Sequence, residues 1–326
     1  MDMLQPPHRT ASLEPFATTP TIRHPMQSDA HPNRSPIVLI GYGDIARRLA
    51  HRLTDHDLIA VSRHQAERPE GHRGEWRAVA VDLDREDHLP AEVAPNDAIW
   101  IYLAPPPREG QTDPRLTHWL REAANPPTGL VYISTTGVYG DRGGHWVDET
   151  TPPAPAHDRG HRRLDAETQC HAYAQTHGIP HCNLRVTGIY ACDRLPVEKV
   201  RRGTPVPTGP EAPWSNRIHA DDLVDILRLL IDRIETGHPV TGTFNVSDNH
   251  PTPVNVTYRQ IAAHFGLPQP PEASLASILE QARPMAREFL SESRRVDASA
   301  IQRALGWQPR YPTLAAALAD CPRNLS

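Results

Sequence analysis

From Pro36 onward the chain alternates short, nearly continuous apolar runs with longer segments that repeat apolar residues at helical spacing. Runs of strand length fall at 36–40, 58–61, 78–81, 98–103, 129–133 and 181–186. Helical stretches fall near 44–54, 113–124 and 160–177. Apolar strands separated by helices predict an α/β fold, a doubly wound parallel sheet covered on both faces. After about residue 190 the pattern becomes irregular. A loop rich in proline and glycine at 203–213 precedes helical segments at 221–235, 257–265, 274–289 and 297–305, and one short strand lies at 243–246. This half does not read as an independent core. It predicts a small, mostly helical C-terminal substrate lobe closing over the carboxyl edge of the sheet, where ligands bind in such folds. Residues 1–35 lack periodicity and have few large apolar residues, which predicts a flexible extension. The expected organisation is therefore an extension over 1–35, a sheet domain over 36–190 to which parts of 214–250 return, and a lobe over 191–326.

The first strand and helix carry the clearest chemistry. Pro36 to Leu49 reads PIVLIGYGDIARRL: strand, glycine turn, helix. That arrangement, Rossmann-like, holds a dinucleotide pyrophosphate. Gly41 permits the tight turn, and Gly43 lets backbone approach phosphate because no Cβ intervenes. The amides at the helix start, at Asp44 and Ile45, then face the anion along the helix dipole. The third small position is Ala46. An NAD site usually places an acidic residue after the second strand, roughly 20 residues on, to bond the ribose hydroxyls. Arg63 stands there instead, and an arginine suits a 2′-phosphate, so NADP is expected ahead of NAD. Asp82 and Leu83 are placed to meet the adenine, and Leu103, Ala104 and Pro105 to pass close to the cofactor.

Composition narrows the picture. Hydrophobic residues make up 38% of the chain and the formal net charge is -5, which argues against a general nucleic-acid partner. No segment approaches the roughly 18 apolar residues of a membrane helix. Cys170, Cys182, Cys192 and Cys321 show no paired short spacing, so reduced thiols in a cytoplasmic protein are expected. The 19 histidines form no cluster with metal-ligand spacing, and no metal site is expected.

Residues 130–153 read LVYISTTGVYGDRGGHWVDETTPP. Here the chain resembles the extended short-chain dehydrogenase/reductases, the NAD-dependent epimerase/dehydratase group. The resembling motifs are Ser134-Thr135-Thr136, Val138-Tyr139-Gly140 and Asp148 to Pro152. Leu184 to Tyr190, Arg217 to Leu223 and Leu305 to Pro312 follow in order, so the resemblance spans roughly 36–320. It implies an NAD(P)-dependent oxidoreductase or epimerase acting on a small polar substrate, sugar-derived ones included. It also implies a role for Thr135 in orienting the reacting oxygen. Thr187 and Gly188 would offer backbone near the nicotinamide amide. Helices near 113–124 and 160–177 pair in family homodimers; both are polar here, so a homodimer stays open.

The departures carry as much meaning. Redox members carry Tyr-x-x-x-Lys on the helix after the Thr-Pro turn. By register with Leu164 to Glu167, Arg159 and Arg163 occupy those positions. Their spacing of four keeps them on one helical face. Arg163 keeps the capacity to hold ribose hydroxyls, but Arg159 cannot move a proton at working pH. His161, two residues along, points away from that face. The Thr-Asp-Glu of dehydratases is replaced by Thr135-Thr136-Gly137. Tyr139 is then the fallback proton donor, beside Thr135. Arg201, Arg202 and Arg217 form a candidate clamp for an anionic substrate. His219, Asp221 and Asp222 read as caps of the following helix. Two functions remain side by side: an enzyme of this class lacking its usual base, and a catalytically inactive NADP-binding redox sensor or regulator.

Overall fold

The computed structural model describes residues 34–85 and 88–323. The expected extension over 1–35 lies outside these, apart from Arg34 and Ser35. Seven parallel strands form the central sheet: β1 Ile37–Ile40, β2 Leu58–Ser62, β3 Trp76–Ala80, β4 Ile99–Tyr102, β5 Gly129–Thr135, β6 His181–Val186 and β7 Gly242–Val246. Their spatial order is β7-β6-β5-β4-β1-β2-β3. Ile37 lies opposite both Leu58 and Ile99, so β1 sits where the winding direction reverses. Ligands bind at that switch point, beyond the carboxyl ends of the strands.

The continuous apolar runs follow from this placement. β1 and β4 have helices on both faces, and every residue in both is buried. One face packs against α1 Asp44–Ala50 and α4 Ala220–Glu235, with Leu39, Leu49, Leu223 and Leu227 among the buried contacts. The other packs against α2 Pro114–Glu122 and α3 Asp158–His177 through Val38, Ile40, Trp100 and Trp119. β3 starts two residues before the expected 78–81, because this edge strand alternates in burial and lacks a continuous apolar run.

The second half adds α5 Val254–His264, α6 Leu275–Gln281, α7 Pro284–Leu290, α8 Ser299–Leu305 and α9 Leu314–Asp320. The single helix expected over 274–289 is two, because Pro284 disfavours helical backbone at Arg283 and opens its own helix. α9 escaped the sequence reading. Thr313 caps it by accepting from the Ala316 amide at 3.1 Å. His219 caps α4, its Nδ1 accepting from the Asp221 amide at 3.2 Å. Asp222 does not cap; it accepts from the amides of Arg310 and Tyr311 at 2.7 and 3.1 Å and pins that loop.

The cysteine expectation is corrected. Cys192 and Cys321 form a disulfide across 129 residues of chain, with Cα atoms 5.5 Å apart. α9 returns beside the short strand Gly188–Tyr190, a juxtaposition that local spacing cannot reveal. Cys170 and Cys182 are free and buried.

Candidate functional site

The glycine turn lies between the carboxyl ends of β1 and β4. Gly41 has φ +90°, and a Cβ there would sit 2.4 Å from the Ala104 backbone nitrogen. Only glycine meets both demands. The amides of Gly41 and Tyr42 donate to the Val61 carbonyl, and that of Gly43 to Gly41. The amides available to an anion are thus those of the first turn of α1, which have no carbonyl partner within the helix. A Cβ at Gly43 would meet nothing closer than 3.9 Å, so the backbone presents a bare outer face there. These residues fit a dinucleotide pyrophosphate. Ile45 is buried in the core beneath, and the Asp44 carboxylate pairs with Arg48 and Arg194.

Around this turn the other expected cofactor residues fall in order. Arg63 follows β2, is exposed, and has no hydrogen bond or ion pair among the described residues. Asp82 is partly committed, since one oxygen accepts from the Asp84 amide at 3.2 Å. Leu83 packs against the core cluster containing Ala104. Leu103 donates its amide to Ile40, and the Pro105 carbonyl accepts from Arg115.

A pocket of about 150 Å³ opens over the ends of β5 and β6. That is well below the roughly 300–1,000 Å³ of drug-sized sites, so it suits a small polar group or one end of a larger ligand. Thr135, Arg159, Thr187 and Gly188 all line it. α3 approaches closely because Gly160 has no side chain; a Cβ there would lie 2.9 Å from the Gly137 carbonyl. The Thr135 hydroxyl accepts from the Gly137 amide at 3.2 Å and keeps its proton to donate. Arg159 faces the pocket without a hydrogen bond or ion pair among the described residues. Desolvation and then the neighbouring Arg163 charge lower its pKa, though a guanidinium stays protonated. Arg163 is tied down, donating to the Tyr132 hydroxyl at 3.0 Å and the Ile133 carbonyl at 2.7 Å. Thr187 and Gly188 already donate their amides, to Val246 and Asn216.

Tyr139 lies elsewhere. It is fully buried, donates to Asn245 Oδ1 at 2.9 Å and accepts from Arg185 at 3.0 Å. Burial raises its pKa above the ordinary phenol value. It is a link in a buried chain: Ser134 donates to Glu167, Glu167 binds Arg185 through Nε and Nη2, and Arg185 reaches Tyr139. The side chain therefore sits in the core and does not line the pocket.

The three clamp arginines do not converge on the pocket either. Arg201 is exposed and paired with Glu198, and Arg202 is exposed. Arg217 is buried, with Nη2 donating to Thr257 and Nη1 without a partner among the described residues. Nearby, Asp248 Oδ2 and the Tyr190 hydroxyl are also buried and without a hydrogen-bond partner among the described residues. Burial pushes Asp248 up to about 7.

Sequence reasoning missed several pocket groups. His157 lines the pocket with Nε2 3.7 Å from Glu292. Arg294 donates to the Gly140 carbonyl and to Glu292 at 2.6 and 2.7 Å. Glu288, Phe289 and Trp214 complete the wall. The one available signal was Trp214-Ser215-Asn216, which immediately precedes the Arg217 to Leu223 motif. No set of three or more His, Cys, Asp or Glu among the described residues is placed to hold a metal ion. No helix among them is long and apolar enough to cross a membrane.

The sequence model of the NAD dependent epimerase/dehydratase family matches residues 37–247. No curated protein shows significant similarity to the chain. Among solved structures, a functionally unknown conserved protein from Silicibacter pomeroyi DSS is 28% identical; the match covers 88% of this chain and 99% of that one, with TM-score 0.71. MoeE5, solved in complex with UDP-glucose and NAD, is 20% identical over 87% of this chain and 96% of its own, with TM-score 0.66. A UDP-glucuronic acid 4-epimerase from Bacillus cereus, in complex with NAD, is 17% identical over 88% and 97%, with TM-score 0.64. The last two share the fold.

Proposed function

Since this chain belongs to the NAD dependent epimerase/dehydratase family, we propose that it is an NADP-preferring oxidoreductase or epimerase acting on a small polar substrate. The observation that carries this reading is the convergence of Thr135, Arg159, Thr187 and Gly188 on one pocket at the sheet edge that bears the Gly41 turn. The first turn of α1 and the bare face of Gly43 would hold the pyrophosphate, and Arg63 a 2′-phosphate. The bound nucleotide would supply hydride chemistry. Thr135 would donate to the substrate oxygen, and the Arg159 guanidinium would stabilise negative charge growing there without giving up a proton. Proton transfer then falls to water or to the substrate itself. UDP-sugars bound by structural relatives support a sugar-derived substrate. A cytoplasmic location and a homodimer through α2 and α3 belong to the same reading.

The second reading is a dinucleotide-binding sensor without turnover. The replacement of the Tyr and Lys positions by Arg159 and Arg163 favours it. One experiment separates the two: fluorescence titration with NADPH and NADH, followed by a search for cofactor oxidation across a carbonyl panel. The enzyme reading expects binding with turnover, and Arg63→Asp is expected to shift preference toward NADH by about tenfold. Tight binding without any turnover establishes the sensor. No binding of either nucleotide removes both readings.

A further inference from the structure

We propose that Arg194 is a ligand for the phosphates of the dinucleotide and that the Cys192–Cys321 disulfide holds it there, so that dinucleotide affinity follows the oxidation state of that bond. The proposal rests on the reading of the Gly41 turn as a dinucleotide site.

The segment Cys192–Arg194 follows the short strand Gly188–Tyr190 and lies as a strap against the start of α1. Arg194 Nη1 is 2.7 Å from Asp44 Oδ2, and Asp193 is 2.8 Å from Arg48 Nη2. Arg48 also reaches Asp44 at 3.1 Å and Asp221 at 3.7 Å. Asp44 is the first residue of α1 and directly follows Gly43, so the ion pair holds the Arg194 guanidinium at the first turn of that helix. A carboxylate there repels a phosphate; Arg48 and Arg194 together offset that charge, and Arg194 adds a second cation at the helix start. Nη1 is engaged with Asp44 and no other side-chain contact of Arg194 falls among the described residues, so N–H groups of the planar fork remain to donate to phosphate oxygens.

What fixes the strap is the decisive question. Its ion pairs are largely solvent-exposed, with Asp193 and Arg194 side chains 65% and 38% accessible. Such pairs contribute little and weaken with salt. Buried Ala191 and Val197 hold the ends of the segment, and the disulfide is the covalent tether within it. Cys321 is buried at the end of α9, beside the apolar cluster of Val197, Ile261, Leu314 and Leu318. Through it the strap is anchored to the core of the second half, one residue before Asp193 and two before Arg194.

Opening the tether is a thiol–disulfide exchange. A dithiol attacks the bond, Cys192 and Cys321 leave as two thiols, and the dithiol closes to its own disulfide, with two electrons and two protons passing to the protein. Cys170 and Cys182 are buried, one in α3 and the other in β6, away from the strap. The freed strap takes the Arg194 guanidinium away from the start of α1 and leaves Asp44 paired with Arg48 alone.

The test is nucleotide binding by the full chain, read by NADPH fluorescence and calorimetry. Four forms are compared: oxidised, dithiothreitol-reduced, Cys192→Ser/Cys321→Ser, and Arg194→Gln. Thiol titration of the unfolded chain verifies the state, with two free thiols in the oxidised form and four in the reduced form. Reduction and the double serine variant are each expected to weaken binding by roughly tenfold, the loss of one charge-assisted contact. Arg194→Gln is expected to show the same weakening and no further response to dithiothreitol, since both changes remove one interaction. Equal affinity in the oxidised and reduced forms overturns this proposal and leaves the dinucleotide site standing. A dithiothreitol response that persists in Arg194→Gln overturns the role of Arg194. Absence of binding by the oxidised wild type overturns the site itself, and the proposal with it.

Discussion

Two buried arginines in this molecule lie within reach of a buried acid, and they are treated in opposite ways. Arg185 on β6 is fully engaged: Nε and Nη2 hold Glu167, and Nη1 donates to Tyr139. Glu167 also accepts from Ser134, and the chain continues through Asn245 to Glu149. Arg217 has one side-chain hydrogen bond among the described residues, to Thr257. Its Nη1 and Asp248 Oδ2 are buried without hydrogen-bond partners among the described residues. The responses diverge accordingly. Arg185 keeps its charge against burial because Glu167 holds it, whereas Arg217 is lowered by burial and Asp248 raised. A satisfied pair is scaffold: it locks β5 to β6 and so sets where Thr135 stands. An unsatisfied one stores cost, and such groups concentrate where a protein meets a ligand or bound water.

Three measurements bear on this contrast. The largest effect is expected for Glu167→Gln, which strands the Arg185 charge in the core. Urea unfolding should show a loss of about 3–5 kcal/mol. A loss under about 1 kcal/mol would mean that the satisfied pair is not the scaffold described.

Asp248→Asn comes next, with the opposite sign. An acid whose folded pKa of about 7 lies above its unfolded value of about 4 takes up a proton on folding between those two pH values. Stability is therefore greatest below about pH 4 and falls as pH rises toward about 7. The amide variant should be more stable than wild type by about 1–3 kcal/mol at pH 8, with little difference at pH 4. Unfolding curves at both pH values check this, and an unchanged pH slope would remove Asp248 from the account.

The smallest effect is expected for Arg217→Met. It surrenders one hydrogen bond but relieves a poorly compensated buried charge, so the change at pH 5 should be about 1 kcal/mol or less. At pH 8 the loss should grow, because ionised Asp248 loses the Arg217 charge that favours its ionised form. A loss at pH 5 as large as that of Glu167→Gln would erase the distinction between the two pairs.

The cradle half of the molecule was legible in the sequence for a local reason. The β1 run, the two glycines and Ile45, Ala46 and Leu49 lie within 13 residues, and strand and helix periodicity speak at that range. The pocket half is assembled from the ends of β5 and β6, the start of α3, the loop before Arg217, and α7 with the segment after it. No periodicity links those pieces, so His157, Glu292 and Arg294 gave no signal. Tyr139 misled because a tyrosine in a motif reads as a reactive group; only the distant partners Asn245 and Arg185 reveal a core residue. The disulfide was hidden for the same reason, its halves being 129 residues apart.

The seventh strand has a consequence for cutting this protein apart. β7 comes from beyond residue 240, yet it pairs along β6, from Gly242 opposite Cys182 to Val246 opposite Val186. A fragment truncated near 190 would present β6 as a bare ribbon of unpaired amides and carbonyls, with Leu184 and Val186 stripped of cover. Such an edge recruits other chains. The 34–190 fragment should aggregate when expressed alone, and soluble expression of residues 34–250 against 34–190 would reveal it.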